Sequence, residues 1–484
     1  MAVAVLHVLR WFPGGEAIAR AEHAFLSCSD AEAGHEDRIS ALHDHLLEDI
    51  VSRLPAKDAA RTAVLASRWR HIWLSTPLVF HDHHLLPSRD RGHVAAVARV
   101  LAAHPGPFRT VSIGYCDFGL HDRELAEWPR LLAAKAIHDL VLVNMPADLD
   151  RLPAVPADIL RCDSFRRLLL GFWKFPDAGA GLPAGGADGF PHLRELIMFG
   201  NEMPGGRDLD HLLARCPVLH TFAVSLSKMF ERVHLRNQSF RCVLLWHCFV
   251  EEVAVMDSPL LERLILWEIF VGEDLSVAVR VKIAAGAPKL RVLGYLEPRL
   301  HQLQIGDIVI KPDTKESPST MVPSVNILAL KVNFGVLKEA KMLASILRCF
   351  PNVHTLHIES VIAADGPTGR HNAKFWQNLP TPIKCLKLQV KKMFIHEFHG
   401  HRSEIQFLKF AARSAEKLGA LLVGVTKEIF DSAHKVGEVT AKVAAVSCVP
   451  WASDECHVLV VGPRVDNVWS FRKASDLSVK DPFH

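Results

Sequence analysis

Pro191-His192-Leu193-Arg194-Glu195-Leu196-Ile197-Met198 is the phrase on which the architecture turns. It opens on an apolar residue, passes two variable positions to a second apolar residue, and one more position to a third. The closing alternation is that of a short strand with one face buried. Pro191, which lacks an amide donor, suits the entry to such a strand. Working outward, the phrase recurs upstream at Phe108 (with Val111 and Ile113), Ile137 (Leu140, Leu142) and Phe165 (Leu168, Leu170). Downstream it returns at Leu219 (Phe222, Val224), Phe240 (Val243, Leu245), Leu261 (Leu264, Leu266) and Leu290 (Leu293, Tyr295). It continues at Val325 (Leu328, Leu330), Val353 (Leu356, Ile358) and Ile383 (Leu386, Leu388). Pro217, Pro259, Pro288, Pro323 and Pro351 punctuate many of these starts.

Most successive starts lie about 21 to 30 residues apart, the period of a leucine-rich repeat with one strand per repeat. No single repeat can bury its apolar face alone. Stacked repeats close one continuous core and leave an extended surface of variable residues suited to recognition. The Gly-, Pro- and Ser-rich segments Asp177–Gly189 and Lys311–Met321 read as exposed loops.

A different period governs residues 37–80. Leu46, Leu47, Ile50, Val51 and Leu54 fall at offsets that share a helical face, and Pro55 ends that helix. Asp44 stands at its start, where a carboxylate can accept from free amides, and Arg53 near its end, where a cation complements the dipole. Residues 56–65 and 66–73 predict two further short helices, with Trp69, Ile72 and Trp73 on a common side. So small a module closes little core, and several of its large apolar groups are expected to meet another surface.

Through Asp37-Arg38-Ile39-Ser40, Leu46-Leu47, Ile50, Leu54-Pro55-Ala56-Lys57-Asp58, Arg61-Thr62, Val64-Leu65, Arg68-Trp69-Arg70 and Trp73, this module resembles the F-box of plant F-box proteins. The resemblance implies binding to a Skp-type adaptor and, through it, to a cullin. It nominates Leu42, Leu46, Ile50, Leu54, Pro55, Val64, Leu65, Trp69 and Trp73 as adaptor contacts. Where the family pattern has Leu-Pro at the start of the first helix this chain has Leu42-His43, an exchange expected to weaken the contact.

After the repeats, Ile383–Val390 reads as a strand, Ser403–Leu418 as a helix with Ile405, Leu408, Ala412 and Ala415 on one face, and Ala420–Val425 as a returning strand. The run Glu404-Ile405-Gln406-Phe407-Leu408-Lys409-Phe410 resembles the FBD module that follows the repeats in many plant F-box proteins. A β-α-β unit here would cap the last repeat. Strand segments are expected at Val458–Val461 and Val468–Phe471. The expected fold is thus α/β: a flexible extension over 1–36, a three-helix F-box over 37–80, an irregular leucine-rich-repeat solenoid over 100–375, an FBD-like cap over 376–430, and a C-terminal segment, 431–484.

Composition narrows the function classes. With 484 residues, 49% hydrophobic and 23% charged, the chain predicts a folded protein. Lys and Arg total 56 against 53 Asp and Glu, and the net +3 supplies no strong attraction to nucleic acid or an anionic membrane. Ten cysteines without a Cys-x-x-Cys pair suggest a reducing compartment, cytoplasm or nucleus. Met1–Pro13 is largely apolar but lacks a signal peptide's basic start and cleavage site, and no run approaches the roughly 20 apolar residues of a membrane span.

His81-Asp82-His83-His84 and the trio His396, His399 and His401 fit no zinc spacing and read as surface or loop histidines. Gly179-Ala180-Gly181-Leu182-Pro183-Ala184 is a loop, since Pro183 opposes the helix a dinucleotide site requires. Cys216, Cys242, Cys248 and Cys349 are expected as small buried apolar residues. No catalytic residue, metal or cofactor is expected. The reading is a non-catalytic subunit that recruits a protein target to a Skp–cullin–F-box ubiquitin ligase; the alternative is a ligase-independent repeat scaffold or ligand sensor.

Overall fold

A computed structural model of the chain describes residue 39 and residues 41–484, apart from 55, 83–84, 86–90, 121–126, 129, 133, 157–158, 177–188, 204–207, 228–229, 272–276, 285–287, 315, 363–369, 380, 447–449 and 464–470. The proposed extension 1–36, Pro55, His83, His84 and nearly all of the loop at 177–189 lie outside the described residues. The chain divides into two compact units, one running to Met229 with Ser470–Arg472, the other Phe230–Trp469 with Lys473–His484.

The first unit begins with helices α1 (Asp44–Ser52), α2 (Ala56–Thr62) and α3 (Ser67–Ser75), followed by strand β1 (Leu78–His81) and helix α4 (Arg91–Ala103). Then come β2 (Phe108–Cys116), β3 (Asp139–Asn144), β4 (Arg167–Gly171), β5 (Glu195–Phe199), helix α5 (Asp208–Ala214) and β6 (Thr221–Ser225). The six strands pair in chain order and all in parallel. Register makes the sequence phrase physical. Val111, Leu140, Leu168, Leu196 and Phe222 form one cross-strand row, and Ile113, Leu142, Leu170, Met198 and Val224 the next. Both rows are buried, as are the phrase openers Phe108, Ile137, Phe165, Leu193 and Leu219.

Beyond the strands the chain turns on buried asparagines. Asn144 accepts from the Phe118 amide (2.9 Å) and donates to the Phe172 carbonyl (3.3 Å), while Asn201 accepts from the Trp173 amide (2.8 Å) and donates to the Leu170 carbonyl (2.9 Å). Each side chain satisfies backbone groups that a turn buries away from water.

The second unit opens with β7 (Phe230–Leu235), β8 (Cys242–Val255), β9 (Arg263–Phe270), β10 (Val279–Ile283), β11 (Val292–Leu296), β12 (His301–Ile305) and β13 (Ile308–Val309). Next are β14 (Ile327–Val332), α6 (Leu337–Cys349), β15 (Thr355–Ser360), α7 (Arg370–Gln377), α8 (Lys384–Leu388), β16 (Lys392–Phe398), α9 (Arg402–Ser414) and β17 (Ala420–Val425). It closes with α10 (Lys427–Phe430), α11 (Ala433–Ala444) and β18 (His457–Val461); the last helix, α12 (Phe471–Ser475), begins in residues of the first unit and ends in residues of the second. A parallel sheet runs β8-β9-β11-β14-β15-β16-β17-β18. A second sheet is made by β7, the distal part of β8, β10 and β12, with β13 antiparallel on its edge. β8 serves both sheets and changes between them near His247, whose φ of 49° lies in the left-handed region.

The parallel strand layers bear out the repeat reading, with three corrections. Ile383–Val390 is not a strand: Lys384–Leu388 is helix α8, and the strand follows as Lys392–Phe398. Ile383 and Leu386 stand three apart, a spacing that serves a helix as well as it serves the phrase, and both are buried while Leu388 is exposed. The β-α-β unit survives as β16, α9 and β17, which pair in parallel. Phe471, expected to close a strand, begins α12 instead, and 468–470 lie outside the described residues. The third correction is the second sheet, which one strand per repeat did not anticipate.

Candidate functional site

The helical module is built on Leu47, Val51, Ala59, Trp69 and Ile72, all buried. On α1 the apolar positions split. Leu47 and Val51, one turn apart, face inward, whereas Leu46 and Ile50, also one turn apart, are 41% and 39% exposed. Val64 and Leu65, in the turn after α2, are 85% and 69% exposed, and Ile39 is 55% exposed. Leu42, Leu54 and Trp73 are half-buried. Trp69 is buried inside the module, so it supports the surface rather than presenting itself on it.

Polar ties hold this shape. Asp44, expected to cap α1, instead accepts from the Arg68 guanidinium (2.6 and 2.7 Å), and Arg68 also donates to the Leu42 carbonyl. Arg53 pairs with Asp49 (2.6 Å) on the outer face. His43 is the N-cap of α1, with φ −66°, an angle a proline ring also adopts. The Trp73 ring meets His104 edge-on at 4.8 Å, and His104 meets Phe108 at 5.1 Å, which joins the module to the first repeat. Burial and the nearby Lys135 cation push His104 below the usual imidazole range. The backbone is joined too, for β1 pairs with β2.

In the second unit, the strand residues that alternate with the core rows form the other face of the main sheet. Arg263, Trp267, Ala329, Lys331, His357, Glu359, Phe394 and His396 stand there. Lys331 reaches Glu359 (3.0 Å) and lies over the rings of Trp267 (5.3 Å) and Tyr295 (5.7 Å). Burial lowers the affinity of Lys331 for its proton, but Glu359, Glu268 and Glu297 outweigh it and hold the ammonium above its usual range. His396, expected on a surface or loop, belongs to β16 and bonds His357 (3.2 Å).

Asp82, from the first histidine cluster, is buried: its Oδ2 accepts from the Gly114 amide (2.9 Å) and lies 3.3 Å from His93 Nε2. With Cys116 these residues place one ligand-type atom each within 4.8 Å. Burial and then the Asp82 carboxylate raise the Cys116 thiol well above its ordinary range, so it stays protonated. His93, distant in the text, carried no spacing signal. Cys216, Cys242, Cys248 and Cys349 are buried thiols, as their places in the repeats suggest. Among the described residues no helix is long and apolar enough to cross a membrane.

Comparison with known proteins agrees with this geometry. A model of the F-box domain matches residues 39–81, and one described as "FBD-associated F-box protein At5g56370, LRR repeats" matches residues 125–358. The F-box/FBD/LRR-repeat protein At1g13570 of Arabidopsis thaliana is 24% identical over 401 residues, covering 80% of this chain and 91% of that protein. The Arabidopsis F-box/LRR-repeat protein At3g26922 is 28% identical over 198 residues, covering 41% of this chain and 62% of its own length. A third, F-box/FBD/LRR-repeat protein At5g22660, reaches 54% over 47 residues, 10% of each chain. The chain thus carries an F-box and leucine-rich repeats, in the arrangement of the plant F-box/FBD/LRR-repeat proteins it is similar to.

Proposed function

We propose that this chain is a non-catalytic target-recognising subunit of a Skp–cullin–F-box ubiquitin ligase. The F-box binds a Skp-type adaptor and through it a cullin, and the repeats bind a protein target. One observation carries the reading: a three-helix module with a closed core leaves Leu46, Ile50, Val64 and Leu65 facing solvent. Fully burying such a side chain is worth about 1.5–3 kcal/mol, and several together offset the entropy of association. The chain's part in catalysis is proximity, which raises the effective concentration of a target lysine at the charged enzyme. The balanced charge favours neither nucleic acid nor membrane as partner, and the buried thiols suit the cytoplasm or nucleus.

The test is capture of the purified full chain by a plant Skp adaptor and cullin. Val64→Asp suits it better than a change at half-buried Leu54, because Val64 contributes little to the module's own core. Wild type is expected to bind and Val64→Asp to lose at least about tenfold in affinity, since a carboxylate would enter an apolar contact. Equal binding by both would remove Val64 from the contact, and no binding by soluble wild type would move the assignment to a ligase-independent scaffold or ligand sensor. His43 favours that second reading, standing where the family pattern has proline. His43→Pro discriminates: a large gain in adaptor affinity is the outcome expected of a chain whose F-box has lost its partner.

A further inference from the structure

The face of the second unit's main sheet that turns away from the core is already occupied. Residues 473–483 lie across it. At one end the Arg263 guanidinium donates to the carbonyls of Ala474 (2.6 Å) and Val479, and the Cys242 thiol approaches the Ala474 carbonyl at 3.5 Å. At the other end Asp481 meets His357 Nε2 at 3.0 Å, while His357 stacks on Phe394 (4.5 Å, 3° between planes) and bonds His396. Phe483, 2% exposed, packs edge-on against Tyr295 at 5.2 Å and lies 5.5 Å from His357. The Phe483 amide bonds back to Asp481 (3.0 Å), which fixes the carboxylate and the ring as one unit.

These contacts have the chemistry of peptide recognition: main-chain carbonyls held by a buried arginine, one carboxylate on a histidine, and one aromatic ring in a pocket of rings. Arg263, His357 and Tyr295 come from three different strands. Only a segment crossing the sheet engages them together.

We infer that this face is the target-binding surface of the repeats, that it takes a peptide segment with an acidic residue two positions before an aromatic one, and that the chain's own Asp481-Pro482-Phe483 is its resident competitor. The inference rests on the reading that the repeats recognise a protein target. A tethered competitor acts at an effective concentration on the order of millimolar, so a target must outbid it or meet a chain whose tail has been released.

The experiment uses the full chain and a labelled synthetic peptide spanning Lys473–His484, followed by fluorescence anisotropy. The double variant Asp481→Asn/Phe483→Ala, which loosens the tail and leaves the face intact, is expected to bind the peptide about tenfold or more tighter than wild type. A peptide carrying both changes is expected not to bind. Adaptor capture on the same preparation reports folding of the F-box and keeps the two readings apart: retained adaptor binding with no peptide binding overturns this inference alone. As a second route free of variants, excess peptide over wild type is expected to accelerate amide exchange in residues 473–484. Unchanged exchange at saturating peptide overturns the proposal.

Discussion

Glu404, at the start of α9, shows what one buried carboxylate can hold together. Its Oε1 accepts from the Ser360 hydroxyl (2.6 Å) and the His399 amide (3.1 Å), and its Oε2 from the His401 amide (2.6 Å). Burial by itself raises this carboxyl, but the bonds from His399, Ser360 and His401 prevail and hold it below its usual range. Glu404→Ala would leave buried donors without acceptors, and a loss of about 1–3 kcal/mol is expected from urea unfolding at pH 7. The sign of the pH effect follows from the lowered value. The contribution is whole above the unfolded carboxylate's pKa, about 4.3, and disappears as pH falls through the folded one. Wild type should therefore lose more stability than Glu404→Gln as the pH falls from 6 to 3. In the sequence Glu404 was visible only as part of the FBD-like run, because its partner Ser360 lies 44 positions earlier, on strand β15. Leu46 and Ile50, nominated through the F-box resemblance, do face solvent, whereas the burial of Trp69 depended on how α1 packs on α3.

Among the elements, the repeat strands were the most legible and the connections the least. The phrase beginning at Phe165 and the one at Ile383 look alike in text, yet one is strand β4 and the other helix α8. Alternation is tested only by the last two apolar positions, and in the Ile383 phrase the helix overrides it. Leu170→Ala, in a buried cross-strand row, is expected to cost about 2–5 kcal/mol by the loss of transfer energy and the cavity left behind. Leu388→Ala, at the matching place in α8, should change stability by less than about 0.5 kcal/mol, because the side chain is exposed. Urea unfolding of the two variants checks the correction directly. The second sheet was readable in principle: Val279-Arg280-Val281-Lys282-Ile283 alternates, and its odd members are buried. It went unseen because a search for one strand per repeat takes such a run for a connection.

At the scale of the molecule, parallel strands added one after another leave terminal strands with unpaired backbone groups, a ready template for self-association. In the first unit β1 meets this hazard by pairing with β2, with Leu78 beside Phe108 and Val79 beside Thr110. Removal of residues 1–81 is expected to uncover the β2 edge, and light scattering should then show association that rises with protein concentration. The same strand decides where the chain can be cut and rejoined. A helical module that stopped at Ser75 would come away without the strand that seats it, and would carry Trp73 without the His104 ring it rests on. An engineer transplanting this F-box to another repeat array should therefore place the seam inside the first repeat, since the module and the scaffold are woven from one piece of cloth.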